Sequence, residues 1–100
     1  MKTQYQIYMD FRAAKEQASK LRGIATSMET LADDSMADTL RSIQEAWTGE
    51  NADKFLAKCT DEQRKIVETA GKLRNVADAI DTIAQRTYDA ETAAIQLASD

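Results

Sequence analysis

Trp47-Thr48-Gly49-Glu50-Asn51 is the one cluster of helix-breaking and helix-capping residues near the middle of this 100-residue chain. Gly49 can adopt a positive φ after one helix, and Thr48 or Asn51 can cap the next helix. The chain has no proline, so long helices can form on both sides. The stretch predicts a single all-α domain over 1–100, an antiparallel helix-turn-helix hairpin with helices at about 4–46 and 51–95 and a turn at about 47–50.

Apolar or small residues recur at steps of three and four in both halves, the period of a helix packed lengthwise on another helix. Extra four-residue steps around Ala32 to Leu40 indicate a local stutter in this register. Thr3 with Gln6 can form a capping box at the start of the first helix, and Asp10 is the alternative start. The stripe of the first half contains Ile7, Phe11, Ala14, Ala18, Leu21, Ala25, Met28, Ala32, Met36, Leu40, Ile43 and Trp47.

A second apolar edge widens the stripe on both helices. It contains Ile24, Leu31, Leu56, Val67, Val76 and Ile83. One neighbouring helix cannot cover faces this wide, so we expect each helix to contact at least two others in a four-helix bundle dimer. The first helices are expected to pair antiparallel, with an interface formed by Phe11, Ala14, Ala18, Leu21, Ala25 and Met28. Gly23 marks either a close helix approach there or a weak point that packing tolerates.

The composition argues against catalysis and against several kinds of ligand. The chain has no histidine, which removes the commonest general base and zinc ligand, and Cys59 is its one cysteine. We expect no catalytic residue, cofactor or metal. The net charge of −4 with interspersed signs disfavours nucleic acid, and the mean hydropathy of −0.53 disfavours strong membrane binding. The N-terminal residues contain no apolar run typical of a cleaved signal peptide.

Trp47-Thr48-Gly49, placed at the turn of an acidic, proline-free hairpin with Phe55 shortly after it, resembles the WXG family of small proteins exported by bacterial type VII (ESX) secretion systems. The resemblance covers the whole chain. It implies a non-enzymatic protein that is cytoplasmic before export and then secreted without a cleaved signal peptide. It also implies a homodimer, or a heterodimer with a related hairpin protein, that is handled by the type VII secretion ATPase.

The family also carries a C-terminal export motif, a tyrosine followed four residues later by an acidic residue. Here Tyr88 is followed by Thr92 at that position, and Glu91 stands one residue earlier. Since residues three apart share a helix face, Tyr88 and Glu91 form a divergent candidate motif. Solvated acids beside an ordinary helix-end tyrosine are the alternative interpretation.

Two functions fit this resemblance. The first is a dimeric secreted effector or co-secreted partner, in which Trp47 and Gly49 form a recognition surface near the partner's termini. The second is an adaptor or chaperone that forms a heteromeric helical bundle with the N-terminal region of a larger type VII toxin. The oligomeric state of the purified chain distinguishes them, because a stable symmetric dimer favours the first.

Overall fold

A computed structural model describes residues 1–99 of the chain. Helix α1 spans Gln4–Thr30, a π-helical segment spans Leu31–Met36, α2 spans Ala37–Ala46 and α3 spans Glu50–Ser99. The described residues contain no strand. The predicted all-α hairpin is therefore confirmed, while its pairing into a dimer stays a prediction.

The first helix begins where the capping residues predict. The backbone N–H of Thr3 donates to Gln6 Oε1 at 2.9 Å, and the N–H of Gln6 donates to Thr3 Oγ1 at 3.1 Å. This reciprocal pair is a capping box, which satisfies two backbone donors that a helix start leaves without partners. Asp10 lies inside α1, so the alternative start is wrong.

The predicted stutter coincides with the π-helical segment Leu31–Met36. A π-helical turn contains more residues than an α-helical turn, so it accommodates an apolar stripe that advances by repeated steps of four. Ala32 lies within the segment and is fully buried. Helical structure therefore continues without a break from Gln4 to Ala46.

The turn forms at Trp47-Thr48-Gly49. Trp47 has an extended backbone, and its N–H donates to the carbonyl oxygen of Ile43 at 2.8 Å. Gly49 has a φ of 116°, a conformation that L side chains rarely adopt. α3 begins directly after it, so Asn51 lies within the first turn of α3 instead of capping it. α3 also continues to Ser99, four residues beyond the predicted end.

The chain divides into two compact units. The terminal unit contains Met1–Arg22 and the described chain from Arg74 onward, and the turn unit contains Gly23–Leu73. Each unit combines part of the first helical run with part of α3. The prediction of one domain over 1–100 is not tested by this division.

The buried residues are almost all alanines. No large side chain among the described residues is fully buried. Three buried alanines on the first helical run and three on α3 are spaced seven residues apart, the repeat of a helix packing seam. Each unit therefore places mainly small residues in its interior and, apart from Ile7, leaves its larger apolar side chains partly exposed. The buried set is Ile7, Ala18, Ala25, Ala32, Ala52, Ala70, Ala77 and Ala84.

Candidate functional site

The turn presents an exposed aromatic pair. The rings of Trp47 and Phe55 lie 5.8 Å apart between centroids, tilted by 46°. Trp47 remains 46% exposed and Phe55 43% exposed. The extended backbone of Trp47 and the positive φ of Gly49 bring the indole from the end of α2 onto the first turns of α3. The ring thus packs near the turn, as expected, while nearly half of it stays accessible to another molecule.

The candidate C-terminal motif is held by contacts within the terminal unit. The Tyr88 ring packs against the Phe11 ring, with centroids 4.9 Å apart. Glu91 Oε1 lies 3.3 Å from Lys2 Nζ, which also pairs with Asp10 Oδ2 at 2.9 Å. Hydrogen bonds to Asp10 and then Glu91 raise the pKa of Lys2 above its ordinary value. Tyr88 therefore contacts α1 through Phe11, and Glu91 contacts Lys2, which precedes α1.

Tyr88 and Glu91 both line an apolar groove of about 260 Å³ in the terminal unit. Its floor and walls are aliphatic and aromatic side chains, and Lys2, Asp10 and Glu91 are its charged residues. Ile83 stands at this groove with 62% of its surface exposed. The apolar lining includes Ile7, Phe11, Ala14, Ile80, Ile83 and Ala84.

A set of ion pairs also links the first helix to α3 in the terminal unit. Arg22 Nη2 lies 2.8 Å from Asp78 Oδ1 and 2.6 Å from Asp81 Oδ2, and Lys15 Nζ lies 3.2 Å from Asp81 Oδ1. The hydrogen bond from Arg22 holds the pKa of Asp81 below its ordinary value. These residues do not line the apolar groove. The ion pairs of Arg22 and Lys15 thus lie away from the groove, whereas those of Lys2 lie at it.

The turn unit has an apolar groove of its own, of about 270 Å³. Leu31 and Phe55 at this groove are 49% and 43% exposed, and Cys59 is half-buried there. The groove therefore extends from the π-helical segment to the first turns of α3. Its lining residues are Leu31, Ser35, Met36, Thr39, Leu40, Ile43, Phe55 and Cys59.

The residues predicted for the dimer interface do not all lie at the surface. Ala18 and Ala25 are fully buried within the single chain, so their side chains have no surface to offer a second chain. We assign these two alanines to packing within the hairpin. Ala14, Leu21 and Met28 are half-buried, and Phe11 is half-buried against Tyr88.

Residues of the second apolar edge are exposed in both units, and the width of the apolar face was the sequence signal for them. Residues from both helices contribute to it, and packing within the chain leaves much of their surface open to solvent. The exposed fractions are 51% for Ile24, 49% for Leu31, 37% for Val67, 49% for Val76 and 62% for Ile83.

Within residues 1–99, no group of three or more cysteine, aspartate or glutamate side chains is arranged to hold a metal ion. No helix in this described part is both long and apolar enough to cross a membrane.

No family model matches the chain, and neither the curated proteins nor the solved structures contain a match to it.

Proposed function

We propose that this chain is a non-enzymatic helical hairpin that dimerises through its exposed apolar surface and is exported by a bacterial type VII secretion system. The observation that carries the proposal is the placement of apolar side chains: alanines fill the interior while larger aliphatic residues stay exposed. Exposed contiguous apolar surface on a soluble protein marks an interaction site. Resemblance to the WXG family supplies the secretion pathway.

The total exposed surface supports self-association. One chain exposes 7176 Å², whereas a compact monomer of this mass exposes about 5,700 Å². The excess of roughly 1,500 Å² exceeds the ~800 Å² that each partner contributes to a standard interface. The excess is therefore large enough for a standard interface with a second copy.

The charge distribution favours a head-to-tail orientation of the two copies. Residues 23–73 carry ten acidic and six basic side chains, which accounts for the whole net charge of −4. The remainder of the chain is balanced, with seven of each sign. A parallel dimer would place two acidic turn units side by side, while an antiparallel dimer places each beside a neutral terminal unit.

The same orientation has a consequence for export. In an antiparallel dimer, Trp47 and Gly49 of one chain lie near Tyr88 and Glu91 of the other. These residues would together form the surface that the secretion ATPase recognises. Half-exposed Trp47 is suited to this role because its ring offers apolar area and an indole N–H.

Dimerisation is tested by light scattering of the purified chain after size exclusion. We expect a 22 kDa species, about twice the chain mass of 11.1 kDa. Ile83→Lys should raise the dissociation constant by about 100-fold, since it places an unpaired charge in an apolar interface. Ser19→Lys adds the same charge at an exposed position outside both grooves and serves as the matched control.

A parent chain that remains monomeric would contradict the proposed dimer. A parent chain that aggregates alone but forms a defined complex with a helical toxin segment would instead support the adaptor function.

Export is tested by expressing tagged variants in a bacterium that has a type VII system. Trp47→Ala should remain a folded dimer and disappear from the culture supernatant, while Thr48→Ala, in the middle of the same tripeptide, should be exported normally. Secretion of Trp47→Ala at the parent level would contradict the assignment. An unfolded Trp47→Ala variant would show that the ring is required for the fold itself.

A further inference from the structure

The π-helical segment Leu31–Met36 lies where the spacing of the apolar stripe changes. Met28, Ala32, Met36 and Leu40 are separated by three successive steps of four residues. In an α-helix each such step overshoots a full turn by about 40°, so the three steps rotate the stripe by about 120°. One additional residue accounts for about 100° of that rotation. The stripe thus behaves as a regular seam that contains one extra residue.

A side chain from the other helix contacts the backbone of this segment. Gln63 Nε2 donates a hydrogen bond to the carbonyl oxygen of Ala32, and Gln63 is half-buried in α3. In a π-helix the backbone donor for Ala32 would be the N–H of Ala37. That N–H donates to the carbonyl oxygen of Asp34 at the end of the segment. The Gln63 amide adds a side-chain donor to the Ala32 carbonyl, within the π-helical segment.

We propose that the π-turn is a one-residue insertion in phase with the apolar seam, and that Gln63 is the positioning residue that holds it. The extra residue keeps Met36, Leu40 and Ile43 on the side of the helix that faces Phe55 and Cys59, where they line one groove. Gln63 stabilises the widened turn by bonding its carbonyl across the helix pair. This role concerns the folded turn unit and does not depend on secretion or on dimerisation.

The proposal makes an unusual prediction for a deletion. Without Asp34, the steps from Met28 to the following stripe positions become four, three and four, the regular pattern of a continuous α-helix. Deletion of Asp34 should therefore leave the melting temperature within about 3 °C of the parent value. Gln17 is an exposed residue in α1, and its deletion rotates the preceding stripe by about 100°. This deletion should lower the melting temperature by more than 10 °C.

The role of Gln63 is tested in the parent chain and in the chain that lacks Asp34. Gln63→Met keeps the length of the side chain but has no N–H donor, and it should lower the melting temperature of the parent by about 4–8 °C. In the chain that lacks Asp34, the same substitution should cause no measurable loss. Amide hydrogen exchange of residues 31–37 should accelerate in Gln63→Met, a local effect that general destabilisation does not produce.

Two results would overturn the proposal. One is a deletion of Asp34 as damaging as the deletion of Gln17. The other is an equal effect of Gln63→Met with and without Asp34. A chain without Asp34 that does not fold counts as such damage and contradicts the insertion; exchange at residues 31–37 in full-length Gln63→Met then tests the positioning role of Gln63 by itself. Unchanged local exchange there contradicts the positioning role, and accelerated exchange supports it.

Discussion

The terminal unit and the turn unit each bury alanines but are stabilised by different contacts. In the terminal unit, charged side chains reach across the helix pair, as in Arg22 with Asp81 and Lys2 with Glu91. In the turn unit, ion pairs such as Glu50 with Lys54 and Asp61 with Lys65 lie within α3. The contact between helices there includes Gln63 and the backbone of Ala32.

The two units therefore present different kinds of surface. Ion pairs between the helices stabilise the terminal unit. The acidic and basic side chains of that unit are equal in number. The turn unit carries the net negative charge and exposes the Trp47 and Phe55 rings. We therefore expect acid to affect the first unit more, and changes of packing to affect both.

The largest expected effect comes from enlarging the seam in each unit. Ala18 in the terminal unit and Ala32 in the turn unit are fully buried. Replacing either with leucine should cost about 1–3 kcal/mol in unfolding free energy, because an overpacked seam forces the helices apart. The cost should be smaller at Ala32, where the π-turn can rewind. Urea denaturation measures both, with exposed Ala13→Leu as the control; equal stability of all three variants would contradict the alanine seam.

An intermediate effect is expected from the two aromatic pairs. Phe11→Ala removes a half-buried ring from Tyr88 and should cost about 2 kcal/mol, while Trp47→Ala removes a more exposed ring and should cost about 1 kcal/mol. Urea denaturation at one protein concentration compares them. A larger cost at Trp47 would mean that the turn, and not the terminal unit, depends more on its aromatic contact.

The smallest effect is the dependence on acid. Because the pKa of Asp81 is lowered in the folded chain, its charge favours folding above the ordinary aspartate pKa of about 3.9. That contribution is lost as the pH falls through the lower folded pKa. The melting temperature should therefore decrease below about pH 4, and less so in Asp81→Asn.

Asp61→Asn is the comparison in the turn unit. Its pKa is also lowered, chiefly by a hydrogen bond from Arg64, but this pair lies within one helix. We expect its removal to change the acid dependence less than Asp81→Asn does. The reverse order would contradict the distinction between the two units.

Much of the hairpin could be predicted because its signals are local. The Thr3 and Gln6 capping box depends on residues three apart, and the turn depends on the conformational freedom of Gly49. The stutter near Ala32 could be read from spacing alone. Asn51 was placed wrongly as a possible cap because Gly49 permits α3 to start one residue earlier.

The assignment of helix faces could be predicted only in part. Spacing places Ala18, Leu21 and Ile24 on one broad side of the helix, but it does not say which neighbour each of them meets. Ala18 was assigned to a second chain and instead lies within the hairpin. Ile24, by contrast, is exposed, as a helix with too wide an apolar face requires.

The sequence by itself determined that this chain is helical, where it turns and that its apolar faces exceed what one neighbour can cover, because periodicity and capping act over a few residues. The tertiary structure alone decided that alanines fill the interior, that Arg22 meets Asp81 and that Gln63 reaches Ala32. These contacts join residues more than thirty positions apart in sequence, as for Gln63 and Ala32, or nearly sixty apart, as for Arg22 and Asp81. Their partners depend on the relative alignment of two helices, which no local pattern specifies.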